Sequence, residues 1–226
     1  MFGRFLTAIA AALLVTTGFS AAAVPAATAA PGPKPHGPEI AFVSSIQKDL
    51  MARFPTPADA EKAGYFRYTN EDNTGSISYA NLQWQSADAK SPSQLWYDVN
   101  GNLLGADFSV LMTNSPKPPH LWGINPARWQ SFDEHVHYVV ADTSAKETYG
   151  ATSVKKFVAA GGSLTDPKAA TIVKMGRAKD ASLISHVFVF PALWDLIVWV
   201  KPNPNGAFAE KNPLVTPSAN AEKDSM

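Results

Sequence analysis

Residues 94–112 read QLWYDVNGNLLGADFSVLM. Both flanks are short and rich in aromatic and aliphatic side chains, and between them stands Asn100-Gly101, a pair that supplies positive φ at little cost. The stretch therefore predicts a β-hairpin with a type I′ turn, its strands covering residues 94–99 and 103–112. Residues 65–68 and 76–84 on the N-terminal side, and 135–142 on the C-terminal side, have the same short, aromatic or β-branched character. Asn, Asp, Gly and Pro clusters separate these runs, so each reads as a strand. Residues 183–190 and 196–201 are almost free of charge and read as two last, buried strands.

Outside the strand-rich middle the period changes. Ile40, Phe42, Val43, Ile46, Leu50 and Met51 recur mostly at spacings of three and four, which predicts a helix from Glu39 that stops before Pro55. Thr56-Pro57 is an N-cap followed by proline at the first helical position, opening a short helix over residues 57–63 that Gly64 closes. Asn125-Pro126 opens a helical turn through Trp129. Residues 151–160 read as a helix stopped by Gly161-Gly162, and Thr165-Asp166-Pro167 starts another that ends near Gly176. The expected architecture is α+β, a single domain with a mainly antiparallel β-sheet packed by N-terminal and C-terminal-half helices.

The 226 residues include 19 basic and 19 acidic side chains, no cysteine, 12 Phe, 6 Tyr and 6 Trp, and 46% are hydrophobic. Disorder, collagen-like repeats and disulfide scaffolds are excluded by that composition. Charge balance without a Lys/Arg cluster gives no electrostatic basis for binding nucleic acid or an anionic membrane.

The first residues have the order of a secretory signal peptide: Arg4, an apolar run over residues 5–15, then small residues. The run is shorter than the about 20 residues of a membrane span. Two small-x-small sites fit a signal peptidase, Ala21-Ala22-Ala23 and Ala27-Thr28-Ala29. Cleavage after Ala29 is expected because the Pro/Gly-rich segment follows it, leaving no stable membrane anchor and placing the product in a secreted or periplasmic location. Residues 30–38, with four prolines and two glycines among 31–38, read as an extended leader. Residues 39–212 form the expected domain, and 213–226 a tail with little apolar content.

No Gly-x-Ser-x-Gly, Gly-x-Gly-x-x-Gly, P-loop or His-Glu-x-x-His motif is present. The strongest constellation is histidine. His135 and His137 stand two apart in a strand, so both project to one face about 6 to 7 Å apart, a geometry suited to two imidazole ligands. His186 opens a second strand and His120 lies in a Pro-rich loop; if these elements meet, His135, His137, His186 and His120 make a transition-metal site. Two functions follow: a small-ligand or metal-ion binding or accessory protein, or a metal-dependent hydrolase or lyase with Glu134 or Asp195 as base. The alternative for the histidines is hydrogen bonding to the backbone.

Residues 70–78 (NEDNTGSIS) resemble an EF-hand loop, with oxygen side chains at alternate positions and glycine sixth. Asn81 stands where the bidentate glutamate belongs, and a polar β-turn explains the same residues. Trp84, Trp96, Tyr97, Trp122 and Trp129 suggest an aromatic face for a small-molecule ligand, or else core.

Overall fold

Helix α1 (Pro38–Arg53) begins where proline can occupy the first turn without losing a hydrogen bond, and it ends two residues before Pro55, at Arg53. The computed structural model describes residues 32, 34–84, 87–141, 144 and 146–222, with the Trp84 side chain excepted; the expected signal peptide lies outside them. α1 buries Val43, Ile46 and Leu50, whereas Ile40 and Met51 are 57% and 52% exposed. The buried stripe is thus narrower than the apolar pattern suggests. Helix α2 (Pro57–Lys62) is capped by Thr56, whose hydroxyl accepts from the Asp59 N–H at 3.4 Å.

The remaining elements follow as β1 (Phe66–Arg67), β2 (Ile77–Ala80), β3 (Gln94–Tyr97), β4 (Leu103–Leu111), β5 (Gln130–Phe132), β6 (His135–Ala141), β7 (Glu147–Ser153), α3 (Val154–Ala159), α4 (Ala169–Lys174), β8 (Ile184–Phe190) and β9 (Leu193–Trp199). They build two antiparallel sheets, one of six strands in the order β1-β2-β3-β4-β9-β5 and one of three in the order β7-β6-β8. The α+β class and the flanking of the sheets by N-terminal and C-terminal helices agree with the pattern of the sequence.

Strand alternation assigns the faces. In β4 the residues Ala106, Phe108 and Val110 point to the α1 side and join Leu196 and Val198 of β9 in the main core. Gly105, Asp107 and Ser109 point the other way, beside Asp195 and Ile197. In the smaller sheet Val136 and Tyr138 pack on Phe157 of α3 and Ile172 of α4. The opposite face of that sheet presents His135, His137, Phe188 and Phe190 toward Tyr68 of the larger sheet. The chain passes between the sheets twice at adjacent points, from β5 to β6 and from β8 to β9, which brings the two polar-lined faces together.

Two local expectations are corrected. The 98–102 hairpin forms, but not with a type I′ turn: Gly101 has φ +79° and Asn100 does not have positive φ. The Gly101 N–H donates to the Asp98 carbonyl at 2.9 Å, and the Asp98 side chain accepts from the N–H groups of Asn100 and Asn102, both at 2.9 Å. This is a type I turn followed by a left-handed glycine, and the aspartate selects it by capping its amides. Residues 151–153, expected in a helix, belong instead to β7. That strand needs glycine at 150, because a Cβ there would fall 2.4 Å from Cζ of Tyr138 on the paired strand. The helix starts only at Val154, after Ser153 caps it by accepting from the Lys156 N–H.

At the N-terminal edge, Glu39 and Arg128 form a buried ion pair at 2.9 Å. Burial acts to raise the Glu39 pKa, but the bonds from Arg128, His36 and Asn125 and the Arg128 charge outweigh it and hold the carboxyl below its ordinary range. Arg128 also donates to the carbonyls of Gly32 and Lys34, tying residues of the leader to the domain. Near the other end, the buried Glu71 carboxylate accepts from the N–H of Ser218 at 2.7 Å and from its hydroxyl. Among the described residues no helix is long and apolar enough to cross a membrane.

Candidate functional site

Between the two sheets lies a cleft of about 590 Å³. Its floor comes from the larger sheet, where β3, β4 and β9 lie side by side and place Gln94, Asp107 and Asp195 on the face away from α1. One side wall is His135 and His137 of β6 with Phe190 of β8. The other is the chain after β1, with Tyr68 and Asn70, and the rim is formed by Phe132, Asp133, Glu134 and Tyr149. A larger recess of about 730 Å³ beside Arg128 and Lys211 is an open trough that holds none of the residues expected to carry chemistry.

The floor is a continuous network. The Tyr68 hydroxyl donates to Oε1 of Gln94, the Gln94 amide donates to Oδ2 of Asp195 at 3.4 Å, and the Ser109 hydroxyl donates to Oδ1 of Asp195. Ser93 bonds to Ser109, and the Trp96 indole N–H donates to Oδ2 of Asp107 at 3.0 Å. Asp195 is 2% and Asp107 7% exposed, and no lysine or arginine lines the cleft among the described residues. Burial pushes the Asp195 carboxyl up to about 7 against the bond from Ser109. Burial and then the Asp195 charge raise Asp107 well above the carboxylate range, against the bond from Trp96. The pair therefore holds protons at pH values where an exposed aspartate is ionised. Burial also raises the Tyr68 phenol, with the charges of Asp107 and Asp195 adding to it. Tyr68 is consequently a neutral donor.

The histidine wall has its own order. His135 Nδ1 is 2.7 Å from the Asp133 carbonyl, which can only accept, so that nitrogen carries a proton. His135 Nε2 and His137 Nε2 are 2.9 Å apart. For two neutral rings, His137 is then the donor and its Nδ1 holds a lone pair. His137 is 4% exposed, and burial, with a smaller contribution from His135, lowers its pKa to about 3. Its ring stacks on Phe188 at 5.4 Å and meets the Tyr68 ring edge-on at 4.8 Å.

These contacts overturn the metal site. Register does place His135, His137 and His186 on one face of the three-stranded sheet, as the spacing suggests. The nitrogens of His135 and His137 point at each other rather than at a shared ion, and Phe188 sits opposite His137. His186 is paired with Val139 further along, where its exposed ring lies flat on Phe66 at 4.8 Å. His120 is exposed and lines a different recess, next to Pro38 and Asn125. Among the described residues no group of three or more His, Asp or Glu side chains can hold a metal ion. The expected transition-metal cofactor, and the metal-dependent hydrolase or lyase built on it, are withdrawn.

The other candidates resolve more simply. In the EF-hand-like loop, Oδ1 of Asp72 accepts from the Thr74 N–H at 2.7 Å, the Thr74 hydroxyl at 2.6 Å and the Ser76 N–H at 3.2 Å, so the loop is a polar turn. Trp96, Tyr97 and Trp129 are buried and Trp122 stacks on Phe42 at 5.4 Å, so these rings are core rather than a ligand face. Of the bases considered, Asp195 lies in the cleft floor and Glu134 on its exposed rim. Asp107, Ser109, Gln94 and Tyr68 were not foreseen. Their signal is polar residues at alternate positions inside apolar strands, as in Gly105, Asp107 and Ser109 of LLGADFSVL.

No protein family, no curated protein and no solved structure matches this chain.

Proposed function

We propose that the protein is exported and binds a small organic molecule in the cleft between its two sheets. The observation that carries this reading is the composition of the cleft: about 590 Å³, with Phe132 and Phe190 on its walls and a few hydrogen-bonding groups gathered on its floor. Small-molecule sites have this combination, apolar surface for affinity and sparse polar groups for orientation. A wall of two rigid strands and a floor fixed by a side-chain network also make the site preformed, which lowers the ordering cost of binding. Export rests on residues 1–29 of the sequence.

The test is ligand-observed NMR with a mixture of small amines, alcohols and carboxylic acids of one to two rings, on the protein and on an Ala151→Trp variant. Ala151 is paired with His137 and lines the cleft, so an indole there fills the space. Binding that the variant abolishes is the expected result. Binding of equal strength to the variant would place the ligand elsewhere and refute the reading.

A further inference from the structure

We propose that the ligand of the cleft is an organic cation, an alkyl or aryl amine whose ammonium group approaches the Asp107–Asp195 floor. The proposal rests on the reading of the cleft as a small-molecule site and specifies its ligand. The chain as a whole has 19 basic and 19 acidic side chains, yet among the described residues the cleft is lined by six carboxyl groups (Asp72, Asp107, Asp133, Glu134, Asp195 and Glu222) and by no lysine or arginine. An anionic ligand would find no countercharge there. The exposed carboxylates of Asp133 and Glu134 at the rim give the mouth a negative field that draws cations inward.

The floor supplies an independent observation. Asp107 is 93% buried, as its 7% exposure states, and its only side-chain partner is the Trp96 indole on Oδ2. Oδ1 has no donor among the described residues, and it is not among the fully enclosed unpaired atoms, which are Trp129 Nε1 and Thr152 Oγ1. It therefore opens on the cleft without a partner: it is the oxygen free to carry the carboxyl's proton, and once that proton is lost it is an acceptor for an incoming ammonium group. The nearby aromatic surface suits the same ligand, because ring faces attract cations. Phe132 is 40% exposed on the rim, and the Tyr149 ring already carries a cation, the Arg67 guanidinium, 4.6 Å from its centroid. Arg67 is engaged there and at the Thr69 carbonyl, at 2.9 Å.

Binding of this kind displaces a proton. The groups facing the acid pair are Tyr68 from the segment after β1, Gln94 and Trp96 from β3, Ser109 from β4, and His135 and His137 from β6 across the cleft; none is a fixed cation. An ammonium group arriving at a protonated carboxyl leaves an ammonium–carboxylate pair and one proton, which the buffer takes up. No covalent bond forms or breaks beyond that O–H bond.

Benzylamine, benzyl alcohol and benzoate differ in charge at nearly constant shape and are the probes. Titration calorimetry of the protein at pH 7, in phosphate and in Tris, is expected to show benzylamine binding at least tenfold more tightly than the other two. Its heat should differ between buffers in the sense of proton release. Asp107→Asn should weaken benzylamine at least tenfold and reduce the buffer dependence, with circular dichroism showing that the variant is folded. Preferential binding of benzyl alcohol or benzoate, lost in Ala151→Trp, would overturn the cation while leaving the cleft as a binding site. Benzylamine binding with no proton release and no loss in Asp107→Asn would also overturn it. Absence of binding by all three, together with a negative result for the whole mixture, would overturn both readings.

Discussion

The acid pair and the buried histidine make opposite demands on pH, and single substitutions should separate them. Unfolding exposes Asp195 to water, where an aspartate titrates near 3.8, while the folded carboxyl is pushed up to about 7. Between those values the folded state keeps a proton that the unfolded state has lost, so stability falls as pH rises. At about 1.4 kcal/mol per pH unit, the interval of roughly three units amounts to about 4 kcal/mol. Asp107, raised well above its ordinary range, adds a second falling contribution over the same window. His137 works the other way. Its unfolded value of 6.5 is lowered to about 3 in the folded state, so below 6.5 the unfolded chain takes up a proton that the folded chain refuses, and stability rises with pH from 3 to 6.5.

Two falling contributions against one rising leave the native protein losing stability as pH rises between 4.5 and 6.5. Asp195→Asn, which keeps an acceptor for Ser109, should flatten that profile. His137→Phe, which keeps a ring on Phe188, should steepen it, because the one rising contribution is removed. The exposed carboxyls held low by local bonds, such as Asp59 and Asp180, are common to all three proteins and cancel from the differences. Urea unfolding followed by tryptophan fluorescence at pH 4.5, 5.5 and 6.5 gives the three slopes. Coincident slopes for native protein and Asp195→Asn would refute the protonated pair.

Three further outcomes are expected. Gly101→Val should cost more than about 1 kcal/mol, because φ is +79° and Pro57 Cδ lies 3.3 Å from the added Cβ, whereas Gly101→Asn should cost less; thermal unfolding distinguishes them. Phe188→Ala should cost about 3 to 5 kcal/mol in urea, since this ring joins the sheets through Phe66 at 5.2 Å and Tyr68 at 5.9 Å and packs on His137 of its own sheet at 5.4 Å. N-terminal sequencing of protein recovered from its native host should begin between residues 24 and 31, and an intact Met1 would refute export.

How far each element was legible follows from where its information lies. α1, α2, β3, β4, β6 and β8 carry their own pattern, apolar spacing bounded by Pro, Gly or Asn, and the sequence locates them; β9 is expected over 196–201 and runs from Leu193 to Trp199 instead, which is why its pattern leaves out Asp195. β7 carries no such pattern. Its residues are exposed or half-buried except Thr152, so neither alternation nor hydrophobicity marks it, and the glycine at 150 argues locally against a strand. What makes it a strand is its pairing with β6 over the whole of 147–153, and the Tyr138 ring on β6 occupies the space a side chain at 150 would need. The hairpin shows the same dependence at shorter range: Asn100-Gly101 announces a turn, but Asp98, two residues earlier, selects which one.

The site divides along the same line. Spacing alone puts His135 and His137 on one face, and the cross-strand register adds His186 to it, so the geometric premise of a metal site holds. The premise fails as chemistry because a ligand set requires three lone pairs directed at one point. Here each ring is already committed, His135 to the Asp133 carbonyl and to His137, His186 to the face of Phe66. The first two commitments are made within two residues of His135 and depend on how its ring turns, and the third comes from Phe66, far away in sequence; spacing shows none of them. The floor was in principle easier to find. A charged residue inside a strand as apolar as β4 or β9 costs several kcal/mol unless it is paired or neutralised, and the chain carries one in each, Asp107 and Asp195. With no lysine or arginine among the described residues that line the cleft they share, neutralisation by a proton is the way this structure supports both, and a proton is what the proposed cationic ligand would replace.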